Sequence, residues 1–257
     1  MSHHLVEARE LHYAYPDGTR ALNGVSFRIV HGEAVGIVGA NGAGKSTLLL
    51  HLNGCLLPTA GTLRVGDYPL TKETVAPIRR AVGTVFQDPD DQLFMPTVGE
   101  DVAFGPASMK LPPAEIEARV VRALEAVHAA HLRPRPPHKL SGGEKRAAAI
   151  ATVLAMSPSI LVLDEPTSGL DPQARRRLMG LLRAFTHTKI VATHDLDLVL
   201  DLCARTIVLQ EGRVLADGPS AEILADEPLL AKAGLEKPLR LQGCPNCARG
   251  EIPRPAP

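Results

Sequence analysis

One stretch constrains this chain more than any other: Gly39-Ala40-Asn41-Gly42-Ala43-Gly44-Lys45-Ser46-Thr47, set between an apolar run at 34–38 and a helix-like run at 48–52. The order strand, glycine-rich turn, helix is the setting in which G-x-x-x-x-G-K-S works as a Walker A phosphate loop. Gly39, Gly42 and Gly44 let the backbone curl around a polyphosphate with its amide N–H groups pointing inward. A helix starting near Lys45 adds its positive dipole end. Lys45 can reach the β- and γ-phosphates, and the Ser46 hydroxyl can hold Mg²⁺. A glycine-rich βα turn with a chance lysine would share pieces of this pattern, but not the complete motif in this context. The stretch marks a nucleotide site.

The rest of the composition narrows the class. A length of 257 residues fits one large α/β domain with a subdomain and a tail, and 45% apolar residues can form a sizeable core. Lys plus Arg and Asp plus Glu both count 28, so no global field favours nucleic acid or an anionic membrane. With no tryptophan and 3% aromatics, base-stacking platforms have little to be built from. Cys55 and Cys203 stand alone and Cys244 and Cys247 stand close together, which is no disulfide framework and fits a reducing compartment. Met1 to Glu7 lacks the basic-then-apolar pattern of a signal peptide, and no window approaches ~18 uninterrupted apolar residues. A soluble chain is expected, with any membrane role exercised through a partner.

Along the chain, short β-like runs at 11–15 and 25–30 flank the turn Pro16-Asp17-Gly18 and predict an antiparallel sheet at the front of the domain. Runs at 63–65 and 81–86 read as further strands, with a short helix or loop at 72–80. Ile116, Val120, Leu124 and Val127 form a helical stripe across 115–132, opened by Pro112-Pro113 and stopped by Pro134, Pro136 and Pro137. This predicts an inserted helical subdomain at about 88–140. The remainder alternates: helix 144–155, strand 160–163, helix 172–185, strand 189–193, helix 196–203, then β-like runs 206–210 and 213–216 around Glu211-Gly212. Such alternation indicates a mainly parallel sheet covered on both faces. Residues 1–226 are read as the nucleotide-binding domain and 227–257 as a weakly ordered tail.

The chemistry concentrates in a few motifs. Ile160-Leu161-Val162-Leu163 runs straight into Asp164 and Glu165. Beside the phosphate loop, Asp164 would orient Mg²⁺ and Glu165 would polarise an attacking water as general base. Leu140-Ser141-Gly142-Gly143-Glu144-Lys145-Arg146 offers a second anion-binding helix start, and Ser141 could equally be a plain N-cap.

That last segment strongly resembles the signature motif of the ATP-binding cassette (ABC) ATPases. Gln87 resembles their Q-loop glutamine, Ser168-Gly169-Leu170-Asp171 the D-loop, and His194 in Ala192-Thr193-His194-Asp195 the switch histidine. Singly, Gln87 also reads as a surface polar residue and His194 as a capping histidine; the ordered set across roughly residues 5–220 carries the resemblance. It implies a P-loop NTPase core with an N-terminal antiparallel β subdomain, ATP and Mg²⁺ as ligands, and an aromatic stacked on adenine, for which Tyr15 is preferred over Tyr13. It further implies a catalytic set of Glu165, His194 and Lys45, and Mg²⁺ held by Ser46, Gln87 and Asp164. ATP would be bound by Tyr15, Gly39, Asn41, Gly42, Ala43, Gly44, Lys45, Ser46, Thr47 and Gln87 of one subunit, closed by Ser141, Gly142 and Gly143 of another.

Which member of the family is suggested by residues 85–106, including Gln87-Asp88-Pro89-Asp90-Asp91-Gln92-Leu93-Phe94. They look like the ATPases of energy-coupling-factor importers, closest to the cobalt and nickel type. The implied partners are a second ATPase subunit (a second copy or a close paralogue), a transmembrane coupling protein and a substrate-binding membrane subunit, on the cytoplasmic face of the membrane. Leu93, Phe94 and Met95 would form the docking groove, or else local core. A vitamin or other micronutrient is the alternative cargo. A soluble ABC protein acting on ribosomes or DNA is the alternative of another class, disfavoured by a single motif set and by the short interval between Gln87 and Ser141. Cys244-Pro245-Asn246-Cys247 lacks two ligands for a closed metal site, and His3, His4, His128 and His131 read as solvated.

Overall fold

A computed structural model describes residues 6–242. Two sheets and a helical unit carry the chain. The strands are β1 (Val6–Ala14), β2 (Arg20–Ile29), β3 (Ala34–Val38), β4 (Ala60–Val65), β5 (Tyr68–Pro69), β6 (Val82–Val85), β7 (Ile160–Asp164), β8 (Thr188–Ala192), β9 (Arg205–Gln210) and β10 (Arg213–Pro219). The helices are α1 (Lys45–Leu52), α2 (Val75–Ala81), α3 (Val98–Ser108), α4 (Pro113–Ala126), α5 (Gly142–Ala155), α6 (Pro172–Ala184), α7 (Leu196–Leu202), α8 (Ser220–Ile223) and α9 (Glu227–Lys232).

The front sheet is antiparallel, in the order β2-β1-β4-β5, as the period-two pattern around Pro16-Asp17-Gly18 predicts. The second sheet runs β10-β9-β3-β8-β7-β6, with every pairing parallel except the β9–β10 hairpin at the edge. Its inner strands β7 and β8 are buried at every position, because both faces are covered. One face meets the antiparallel sheet and α1 through Ile37, Leu48, Leu52 and Ile190; the other meets α6 and α7 through Val38, Leu163, Leu182 and Val199. At Gly36 the contact is backbone-close: a Cβ there would lie 2.6 Å from Val199 Cγ1 on α7.

The helical unit has its own core of Val98, Val102, Val120, Leu124, Leu132 and Ala148. It reaches beyond the expected 88–140, because α5 packs on α3 and α4 through a run of alanines while also covering β6. The stripe expected to stay helical to 132 stops at Ala126; His128 takes φ +56° and a 3₁₀ turn follows at Ala130–Leu132. That break returns Ala129 and Leu132 to the core, both almost fully buried.

The segment after residue 226 is more ordered than its sequence predicts. Residues 227–242, expected to be weakly ordered, hold helix α9, capped by Asp226, and a 3₁₀ turn at Leu239–Leu241. Leu230 and Ala233 are buried against the α7 side of the core. One helix of six residues is too short to show a 3.6-residue period, so tertiary packing rather than pattern orders it. Cys244 and Cys247, with His3 and His4, lie outside the described residues.

Two glycines test this packing in opposite directions. Gly36→Ala should cost about 1–3 kcal/mol by overpacking against Val199. Gly180→Ala, on the exposed face of α6 where an added Cβ meets nothing within 4 Å, should stabilise by up to about 1 kcal/mol. Urea midpoints check both, and a neutral Gly36→Ala would contradict the α7–sheet contact.

Candidate nucleotide site

The carboxyl edge of the parallel sheet collects the site. The phosphate loop leaves β3, Phe86 and Gln87 leave β6, Asp164 ends β7 with Glu165 following, and Thr193 and His194 leave β8. This is where open α/β sheets present ligand-binding crevices.

The loop is tightly seated. A Cβ on Gly39 would lie 2.3 Å from the Leu209 carbonyl oxygen, and one on Gly44, at φ +102°, 2.6 Å from that of Ala21. Only glycine fits at either point. Gly44 serves as N-cap of α1 without a side-chain cap, so the helix start stays open toward the loop. Lys45 Nζ donates to the carbonyls of Gly39 (2.7 Å) and Ala40 (3.1 Å). Burial lowers the lysine pKa, while Glu165 and Asp164 oppose that shift. Tyr15 donates to or accepts from Thr47 Oγ1 at 3.0 Å. Its neighbour Tyr13 instead packs on the core and edge-on to His51, with ring centroids 4.8 Å apart.

The two acids differ in surroundings. Asp164 is buried, its Oδ1 has no hydrogen-bond partner among the described residues, and burial pushes its pKa up against the pull of Ser46 and Lys45. A buried carboxylate oxygen left unpaired beside a hydroxyl suits a hard divalent cation. Ser46 and Asp164, with Gln87 on the same cleft, therefore fit Mg²⁺. Glu165 adopts φ +45°, a left-handed conformation that a non-glycine residue holds only when its surroundings enforce it. They do so here: its N–H donates to Ala192 O, Thr193 Oγ1 donates to Oε2 at 2.8 Å, and the His194 N–H donates to Oε1 at 3.0 Å. His194 Nδ1 lies 2.8 Å from the same Oε1. The carboxylate is thus aimed by β8 rather than by its own helix or strand.

An open cleft of ≈ 640 Å³ joins these groups. It is lined by Tyr15, Gly39, Asn41, Gly42, Gly44, Lys45, Ser46, Thr47, Gln87, Asp164, Glu165 and His194. Ala43 is buried in the core and does not line it. Ser141, Gly142 and Gly143 are absent from its walls; Ser141 and Gly143 border a separate ≈ 290 Å³ cleft with Leu170 and Asp171. Ser141 closes a capping box with Glu144, so the plain N-cap reading also holds in this structure. Sequence reasoning missed Thr19, Arg20, Ala21, Ala40, Gly234 and Leu235 on the nucleotide cleft. Only Ala40 carried a signal, its place within the loop; the others arrive by tertiary folding.

Helix α5 is wired to the Gln87 segment. Arg146 is buried and donates to the carbonyls of Phe86 (2.7 Å) and Gln87 (2.5 Å), and Lys145 pairs with Asp90 at 2.6 Å. Gln92 donates to Ala149 O and Thr152 Oγ1 while accepting from Phe86 N–H. Of the three residues expected to form a docking groove, Leu93 is instead buried in the helical core. Phe94 is 64% exposed and stacks edge-on with exposed Phe104 at 4.9 Å. Asp101 fixes this loop by accepting the N–H groups of Phe94 and Met95.

Known proteins show the family. The ABC transporter family model matches residues 22–168, more than half of the chain. The chain belongs to the ABC transporter family and is an ATPase of that family. It is 66% identical over 249 residues to a Geobacter sulfurreducens chain provisionally named an ABC transporter ATP-binding protein, covering 97% of this chain and 100% of that one. It is 46% identical over 240 residues to the energy-coupling factor transporter ATP-binding protein EcfA of Methanocaldococcus jannaschii, covering 91% and 86%. Among solved structures, cbiO1 from Clostridium perfringens, part of the ABC transporter complex cbiONQ, superposes with TM-score 0.78 at 42% identity, covering 90% and 94%. The ATP-binding cassette MJ0796, a dimer in a post-hydrolysis state with ADP and Pi, gives TM-score 0.76 at 29% identity, covering 84% and 98%. These likenesses place the chain with ATP-binding subunits of the energy-coupling-factor and cbiO type.

Thr193→Val removes the donor to Glu165 Oε2 at nearly constant volume. It should cost about 1–3 kcal/mol by leaving a buried carboxylate oxygen unpaired, read as a lower urea midpoint. An unchanged midpoint would show that Thr193 does not hold Glu165.

Proposed function

We propose that this chain is the ATP-hydrolysing motor of a membrane importer, working as a head-to-tail pair of ATPase subunits. The observation that carries the pairing is the separation of the two halves of the site: the cleft holding Lys45, Asp164 and Glu165 has no wall from Ser141, Gly142 or Gly143 of the same chain. Ser141 caps helix α5 and Gly142 and Gly143 open it, so the first-turn N–H groups at 142 and 143 can meet a phosphate presented by another subunit. The dimeric arrangement of MJ0796, a structural neighbour, supports the same reading.

Within the cleft, Lys45 and the loop amides bind the phosphates, and Tyr15 packs on the base. Ser46, Asp164 and Gln87 would hold Mg²⁺, which would supply positive charge to offset that of the phosphates. Glu165 orients and deprotonates the attacking water, with its carboxylate kept in place by Thr193 and the His194 backbone. His194, exposed above Glu165, would contact the γ-phosphate. Release of phosphate loosens the pair, and Arg146 carries movement of Gln87 into the signature helix.

Among the described residues no helix is long and apolar enough to cross a membrane. The chain reaches the membrane as a peripheral subunit on the cytoplasmic face, docked through Phe94, Phe104 and Met95 on a transmembrane coupling protein. Cobalt or nickel ion is the cargo we assign, captured by a separate membrane subunit. The likeness of residues 85–106 to metal-uptake ATPases and the overall likeness to cbiO1 support it.

Glu165→Gln should bind ATP and dimerise while hydrolysis falls at least ~10²-fold, and Lys45→Ala should lose tight ATP binding. Phosphate release and size-exclusion chromatography with ATP check these; near-normal turnover of Glu165→Gln would overturn the assigned base. In the reconstituted complex, uptake of radiolabelled cobalt or nickel should require Glu165. Uptake of neither ion, with a vitamin transported instead, would overturn the cargo.

A further inference from the structure

Residues 227–242 have no part in the cycle proposed above, yet they reach the cleft. Helix α9 ends in a Schellman-type turn: Gly234 sits at φ +70°, its N–H donates to Ala231 O at 3.1 Å, and the Leu235 N–H donates to Leu230 O at 2.8 Å. This turn puts Gly234 and Leu235 on the wall of the nucleotide cleft. Its approach to the phosphate loop is close, since a Cβ on Gly234 would lie 3.3 Å from Ala40 Cβ.

The turn is anchored on both sides. Before it, Leu230 and Ala233 are buried, and Gln210 Nε2 donates to Lys232 O at 2.7 Å. After it, the chain crosses to α7. The Leu239 N–H donates to Asp197 Oδ2 at 3.1 Å, and the Arg240 guanidinium reaches Asp197 Oδ1 at 3.4 Å and Asp201 Oδ2 at 2.5 Å. Leu235 packs partly on the core beneath α7 and partly on the cleft. An ordered turn with a half-buried leucine at a cleft rim removes water from one side of whatever fills the cleft, and its contact with Ala40 limits how far the loop can spread.

We propose that the 233–235 turn is a nucleotide-contacting wall of the ATP cleft, held in place by the Arg240 clamp on α7. The proposal rests on residues 39–47 being the ATP site and adds a C-terminal segment to it. Because α7 begins two residues after His194, the same clamp ties this wall to the helix that follows the switch histidine.

The test titrates the full-length chain with trinitrophenyl-ATP. Leu235→Ser and Arg240→Glu should each weaken binding about 5-fold or more, roughly 1 kcal/mol by the logarithmic relation of affinity to free energy. Lys237→Ala, on the same segment but off the cleft and paired with Glu227, should bind within twofold of the unaltered chain. Hydrogen exchange on the unaltered chain gives a readout independent of variant folding: ATP should slow exchange of the 234–241 amides. Unchanged affinity in a natively folded Leu235→Ser, or unchanged exchange across 234–241, would overturn the proposal. Lys45→Ala separates the two readings. If it loses binding while Leu235→Ser retains it, only the wall fails; if it retains binding, the site itself fails.

Discussion

A lysine ammonium held between loop carbonyls and two carboxylates, at the open edge of a buried parallel sheet, is the constraint on which the rest of this structure depends. Lys45 sits under its own loop, with Asp164 and Glu165 supplying the compensating charge from the next-but-one strand. A buried charge without such partners is unfavourable by several kcal/mol. The strand order therefore matters chemically: β3 must lie one strand from β7, with β8 between them to supply Thr193 and His194. The same residues, just after β8, hold the Glu165 carboxylate, so its orientation is set from the neighbouring strand's end rather than by the loop that carries it.

From that centre the structure spreads its consequences through a few buried polar links. Arg146 is the main one, a buried guanidinium satisfied largely by backbone carbonyls at 86 and 87. It ties α5 to the Gln87 segment, assisted by Gln92 and by the Lys145–Asp90 pair. Exposed Phe94 sits on the loop that continues from this segment, held by Asp101, and meets Phe104 of α3 edge-on. The cleft and the exposed Phe94–Phe104 pair are thereby linked through a short run of hydrogen bonds. The C-terminal turn at Gly234 adds a link between the phosphate loop and α7.

Much of the site was legible in the sequence because phosphate chemistry demands local patterns. Glycines at fixed spacing, a lysine at a helix start, and acids at the end of an apolar strand need few residues to state, and the structure sets those at 39–47 and 164–165 on one cleft. Of the two tyrosines on β1 and just after it, Tyr15 lines the cleft and Tyr13 packs on the core. Less legible were features that depend on distant partners. Leu93 reads as exposed docking surface until α3–α5 enclose it, and residues 227–242 read as featureless because six helical residues cannot display a period.

By itself, then, the sequence determined the class of fold, the phosphate loop with its acids, and the order of the motifs, since each is set by neighbours in the chain. Tertiary structure alone decided that Glu165 is aimed by Thr193 and His194, that Arg146 binds the 86–87 backbone, and that Gly234 and Leu235 complete a wall of the cleft. These contacts join residues 28 to nearly 200 positions apart. Whether two such side chains meet depends on strand order and helix packing, which no local window of sequence contains. The phosphate loop was visible as a pattern; what surrounds it became visible only as geometry.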